Sequence, residues 1–197
     1  MMTKLQRIYV SFKKMEVAFN QVREELRGMG LLFTGSPLDK VDCYHERFSL
    51  GALSGFVGVM GFYDFSDRNI HIPMAYPAGL FPRWFSKRQM LDVLRHEFGH
   101  ALAHRYPEAL RNGDLFKKAF GGPYGVRPAK GTDPDDWEGR CVTGYAATRT
   151  REDFAETFML FVKHKGKIPA RFAKRPAIRK KWRAVEEIVS RAAASSR

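Results

Sequence analysis

Two histidines and a glutamate in the run His96-Glu97-Phe98-Gly99-His100 have the types and the spacing to hold and use a metal ion. Four residues along an α-helix make about 400° of rotation and about 6 Å of rise, so His96 and His100 would project from nearly one face, one turn apart. Two imidazoles placed in this way can share one ion. Zinc accepts imidazole nitrogen at about 2.0 to 2.1 Å, and a catalytic zinc takes three protein ligands and keeps a fourth position for water. Glu97, about 100° round the helix from His96, would stand beside that water and is the candidate general base. His104 continues the row, but a rigid helix carries it about 12 Å from His96, so it is read as a surface or core residue.

This chemistry requires a helix, and Ser86 to Tyr106 predicts one. Met90, Leu91, Val93, Leu94, Phe98, Ala101 and Leu102 recur at helical spacing, and Ser86 with Gln89 reads as a capping-box start. Two histidines leave the ion one protein ligand short, and a carboxylate on a crossing helix would complete a His₂Glu set. Arg151 to Lys163 predicts that second helix, with Thr150 as its cap, Asp153 as the reciprocal acid, and Phe154, Ala155, Phe158, Met159 and Val162 as its apolar face. Glu152 and Glu156 stand one turn apart on it. Spacing alone allows either to bind the ion while the other accepts the N–H of a ligating imidazole.

The remaining chain predicts an α+β protein of one domain, 1–197. Leu5 to Arg27 reads as an N-terminal helix through Ile8, Phe12, Met15, Phe19, Val22 and Leu26. Phe48 to Pro73, rich in Gly, Val, Phe and Tyr, reads as a β-hairpin or small meander turning at Ser66 to Asn69, with His71 as a packed or surface residue. Pro73 ends its strand or lies on an edge, and the Ile70 to Pro73 strand could offer that edge to an extended peptide. The aromatic stretch Met74 to Phe85 leads into the HExxH helix as a wall of the cleft or as core. Asn112 to Phe120 suggests a short helix, and Gly121 to Gly144 a long loop. Pro176 opens a last helix with an apolar stripe of Ile178, Trp182, Val185, Ile188, Val189 and Ala192, leaving Arg179, Lys180, Lys181 and Arg183 to face water.

The segments HEFGHAL at His96 to Leu102 and TGYAATRTREDFAETF at Thr143 to Phe158 resemble the gluzincin metallopeptidases of the anthrax lethal factor and Pro-Pro endopeptidase group and their phage and bacterial relatives. In that group a tyrosine precedes the ligand glutamate by seven residues and a second glutamate follows it by four; Tyr145, Glu152 and Glu156 fit both spacings. The resemblance implies a zincin-like fold, with a small β-sheet lobe and a mainly helical lobe around the HExxH helix. It also implies Zn²⁺ on His96, His100 and Glu152, Glu97 as base, Tyr145 as oxyanion donor, and Glu156 orienting a ligand. A protein or peptide is then the substrate. Tyr106 stands where the HExxHxxGxxH pattern has its third histidine, which excludes the metzincins.

Composition sets the bounds. At 197 residues and 44 % hydrophobic, the chain can bury a core. No stretch approaches the ~18 apolar residues of a membrane span, and no signal-peptide pattern opens the sequence, so a soluble, cytoplasmic protein is expected. Cys43 and Cys141 are too few for a disulfide framework and read as reduced thiols. The net charge of +13 is concentrated in a basic helical tail of about 163–197, where twelve Lys or Arg face only Glu186 and Glu187. Such a field favours an acidic partner, whether nucleic acid, an anionic membrane surface or an acidic protein. Three functions compete: a zinc endopeptidase, a nucleic-acid-associated protease using the tail, and a metal-binding interaction protein without turnover.

Overall fold

The computed structural model describes residues 7–46, 61–77, 87–111, 114–126 and 137–195. Its first elements are β1 (Arg7–Tyr9) and α1 (Phe12–Gly28). The helix therefore starts later than the apolar spacing from Leu5 suggested. One reason is remote and one local: β1 pairs antiparallel with a strand at Ala75–Pro77 and Val10 N–H bonds to Met74 O, while Ser11 Oγ accepts from Lys14 N–H as an N-cap. Met15, Ala18, Val22 and Leu26 form the buried stripe, while Phe12 is exposed.

A three-stranded sheet follows, made by β2 (Cys43–Glu46), β3 (Phe62–Tyr63) and β4 (Ile70–Pro73), with β5 (Ala75–Pro77) partnering β1. β3 and β4 are antiparallel across the Asp64 to Asn69 turn, which gives the expected hairpin within its described residues; 47–60 lie outside them. The expectation that Ile70 to Pro73 offers a free edge is overturned. β2 pairs parallel with β4 from Cys43↔Ile70 to Glu46↔Pro73, and β3 pairs with its other side at Ile70 and His71, so β4 is the central strand of the three. No strand was expected at 43–46, because four residues with three polar side chains give almost no periodic signal. Pro73 ends β4, where a missing N–H is tolerated.

The helical part runs α2 (Lys87–Arg105), α3 (Pro107–Arg111), α4 (Leu115–Phe120), a 3₁₀ turn at Tyr145–Thr148, α5 (Thr150–Lys163), α6 (Ala170–Ala173) and α7 (Pro176–Ala194). The start of α2 at Ser86, most of the aromatic stretch 74–85 and the middle of the 121–144 loop fall outside the described residues. α5 is buried almost all the way round, with Phe154, Ala155, Thr157, Phe158, Met159, Leu160, Phe161 and Val162 all covered. Helices apolar on every side belong in the interior. α2 and α7 both pack on it.

Two expectations about helix polarity fail for one reason. Lys181 was expected in water but is 6 % exposed, its Nζ 2.5 Å from Asp153 Oδ2 and donating to Arg140 O. Asp153 serves Lys181 and closes no capping box. Thr150 likewise turns its hydroxyl to the 123–126 loop, donating to Pro123 O at 2.7 Å and accepting from Gly125 N–H at 3.0 Å. In both cases a tertiary partner outcompetes a local one. The six apolar residues expected to seat α7 are all buried.

Candidate metal centre

α2 and α5 cross with almost no space between them. A Cβ built on Gly99 would lie 3.1 Å from Ala155 Cα and 3.1 Å from Phe158 Cδ1, so a residue without a side chain is what lets the backbones approach. Gly99 lies between the two motif histidines, and Ala155 lies between Glu152 and Glu156. The crossing therefore sets both acids against both imidazoles.

The result is a triangle of donor atoms. His96 Nε2 and His100 Nε2 are 3.2 Å apart, and each is 3.3 Å from Glu152 Oε2. A tetrahedral ion with bonds of about 2.0 to 2.1 Å spaces its ligands about 3.3 to 3.4 Å apart. The three edges fit zinc. All three residues are buried, and Glu152 Oε2 has no hydrogen-bond partner, a costly state for a carboxylate oxygen that a cation relieves. Its other oxygen accepts from Arg151 Nε at 2.7 Å. Burial works against ionising Glu152, but contacts with His100 and His96, and then Arg151, hold its carboxyl well below the usual range. Burial also opposes charge on His96, yet Glu152 and Glu156, with Glu97 nearby, carry its pKa up to about 10. The field that holds a proton so firmly there equally attracts a dication.

Both imidazoles are held from behind. His96 Nδ1 lies 2.8 Å from Glu156 Oε1, and Glu156 Oε2 accepts from Thr143 Oγ1 at 2.9 Å. His100 Nδ1 lies 2.8 Å from the Tyr124 hydroxyl. Coordination through Nε2 would need that lone pair free, and each Nδ1 would then carry the proton and donate it to its oxygen partner. Glu152 thus points to the donor triangle and Glu156 to the far side of one histidine. Spacing alone had left that order open.

Glu97 is buried and fixed by β3, its Oε2 accepting from Tyr63 N–H at 2.8 Å. Tyr145, from the 3₁₀ turn, is 56 % exposed and sets its ring 5.9 Å from that of His96. Desolvation of its hydroxyl and the negative charge of Glu152 push the phenol above its ordinary pKa, so it stays a protonated donor. All six residues singled out in the sequence are thus brought together. His104 is turned aside, its Nδ1 3.0 Å from the Tyr63 hydroxyl. His71 belongs to the sheet, its two ring nitrogens facing Glu46 and Asp67. Thr143, Tyr124 and the Tyr63 backbone were missed. Thr143 and Tyr124 sit in loops without periodicity, and a main-chain donor leaves no mark in residue type.

No curated protein and no solved structure gives a significant match to the chain. Residues 85–168 do match a family model, a span that takes in α2 to α5 and every donor of the triangle, and the family is described as "Putative zinc-binding metallo-peptidase".

Proposed function

We propose that the protein is a zinc-dependent metalloendopeptidase of the HExxH gluzincin type, with zinc on His96, His100 and Glu152. The convergence of three donor atoms, one of them an orphaned buried carboxylate oxygen, at edges of 3.2 to 3.3 Å carries this reading. The family match supports it, as does the similarity of the Tyr145, Glu152 and Glu156 spacing to the lethal factor and Pro-Pro endopeptidase group. Zinc in such a site supplies Lewis acidity, lowering the pKa of water to about 7 and polarising a carbonyl.

The chain's own groups do the rest. Glu97, anchored through one oxygen by Tyr63 N–H, takes the proton from the attacking water and delivers it to the leaving amine. Tyr145, protonated and reachable from solvent, donates to the oxygen of the scissile carbonyl as negative charge develops there. Glu156 keeps His96 in the tautomer that leaves Nε2 free.

The test is metal content together with cleavage of a peptide library. Wild type should hold about one zinc per chain and cut peptides, His96→Ala and His100→Ala should lose the metal, and Glu97→Gln should keep it while losing about 10²- to 10⁴-fold in turnover. Equal zinc in wild type and both histidine variants, or a fully active Glu97→Gln, refutes the assignment. Tyr145→Phe should lower kcat by about 10²- to 10³-fold with little change in KM.

A second reading adds an acidic partner to the same site. Lys165, Lys167, Arg171, Lys174, Arg179, Lys180 and Arg183 are all exposed, and no acidic residue intervenes between 165 and 183. These cations are held on a folded surface: Trp182 Nε1 donates to Gly166 O, and Arg171 stacks 4.6 Å above the Phe172 ring. Nucleic acid binding there should weaken linearly in log K against log salt, and Arg179→Glu with Arg183→Glu should flatten the slope by about 2. Salt-independent binding, or none, removes nucleic acid as the partner.

A further inference from the structure

The structure assigns a positioning role to Tyr124: through its hydroxyl it holds His100 in the tautomer and orientation that leave Nε2 free for the metal. The inference rests on the zinc reading above and concerns a residue that neither the HExxH motif nor the Tyr145 to Glu156 segment contains.

Three observations carry it. The Tyr124 oxygen is 2.8 Å from His100 Nδ1, the same distance that separates Glu156 from His96 Nδ1, so each metal-facing imidazole has one oxygen behind it. The loop bearing Tyr124 is clamped on both sides of that residue by Thr150, which donates to Pro123 O at 2.7 Å and accepts from Gly125 N–H at 3.0 Å, while Thr150 N–H bonds to Val126 O. Gly125 takes φ 91°, a conformation that side chains rarely adopt. The ring itself is seated against Phe116 at 5.6 Å and Phe154 at 6.2 Å. Because Thr150 opens the helix that carries Glu152, one short segment sets the third ligand and the phenol behind the second.

The two supports differ in chemistry. Glu156 offers a carboxylate, whereas Tyr124 offers a phenol oxygen, placed 2.8 Å from Nδ1 to accept its N–H. Oxygen partners of this kind fix ring orientation and raise ligand basicity, and their loss typically costs about 10- to 100-fold in metal affinity or activity.

The experiment is a competitive chelator titration of wild type, Tyr124→Phe and Thr150→Val, with Co²⁺ spectra of each. Tyr124→Phe keeps the ring and removes only the oxygen, so a packing role predicts wild-type behaviour. The expected result is a zinc Kd raised about 10- to 100-fold and an altered Co²⁺ ligand-field spectrum at unchanged metal-free Tm. Thr150→Val should shift both in the same direction by less. Wild type binding zinc with Tyr124→Phe indistinguishable from it overturns the role, whereas a wild type that binds no zinc refutes the metal reading itself. If Tyr124→Phe does not fold, imidazole ¹⁵N spectra of the zinc-loaded wild type decide: His100 protonated at Nδ1 is expected, and metal on Nδ1 overturns the proposal.

Discussion

Consecutive residues of α5 carry two buried carboxylates into opposite surroundings. Glu152 is 5 % exposed and Asp153 is 4 % exposed. Asp153 turns toward α7, where Lys181 supplies a cation at 2.5 Å and Cys141 lies 3.8 Å away as a weak thiol donor. Glu152 turns toward α2, where it meets two imidazole nitrogens and leaves Oε2 without a hydrogen bond. A buried charge needs a counter-charge. On the α7 side the chain carries its own, whereas on the α2 side Arg151 pairs with Oε1 alone and Oε2 faces the two imidazoles, where the proposed ion would sit. Burial still lifts the Asp153 carboxyl to about 6 despite Lys181, whereas Glu152 is drawn far below the ordinary range. The first cluster is a structural tie, and the second is the site proposed to take the metal.

The comparison predicts that the two clusters fail in different ways. Lys181→Met should destabilise the protein by about 3 to 5 kcal/mol, because it strands Asp153 in the interior, and should leave zinc affinity nearly unchanged. Adding Asp153→Asn should recover much of the loss. Urea unfolding with a parallel zinc titration measures both quantities, and a large fall in zinc affinity would merge the two clusters into one unit.

Glu152→Ala should do the reverse, lowering zinc affinity by about 100-fold or more with a small effect on the metal-free fold. Glu156→Ala should cost only about 10- to 100-fold, since it orients a ligand without touching the ion. Thermal shift adds a second reading. Zinc at a thousand times the wild-type Kd should stabilise wild type and Lys181→Met alike by about 4 kcal/mol, and Glu152→Ala by about 1.4 kcal/mol at most. The opposite ranking of the two glutamates would place the ligand one helical turn away.

The smallest effect is expected at the crossing itself. Gly99→Ala adds a methyl that α5 must yield to by a few tenths of an ångström, costing about 1 to 3 kcal/mol in overpacking. About 1 kcal/mol returns as helix propensity. Stability should therefore fall little, while zinc affinity falls by about tenfold at most as Glu152 moves from the imidazoles. Unchanged affinity would mean that the close crossing is not what sets the triangle.

The sequence by itself determined the elements that speak through periodicity and spacing. The α2 and α5 helices, the apolar stripe of α7, the His96, Glu97 and His100 set and the pair of acids on α5 all follow from a rule of 3.6 residues per turn, because a regular helix fixes which side chains share a face. Tertiary structure alone decided whatever depends on a partner distant in the chain. It placed Glu152 at the donor triangle and Glu156 behind His96, buried Lys181 against Asp153, and drew Thr150 from capping to clamping the loop of Tyr124. It also laid a parallel strand from 43–46 along one side of β4, opposite β3. Each is a competition between a local partner and a remote one for the same polar group, and burial decides it, since an unpaired charge or hydrogen-bonding group costs far more in the interior than at the surface.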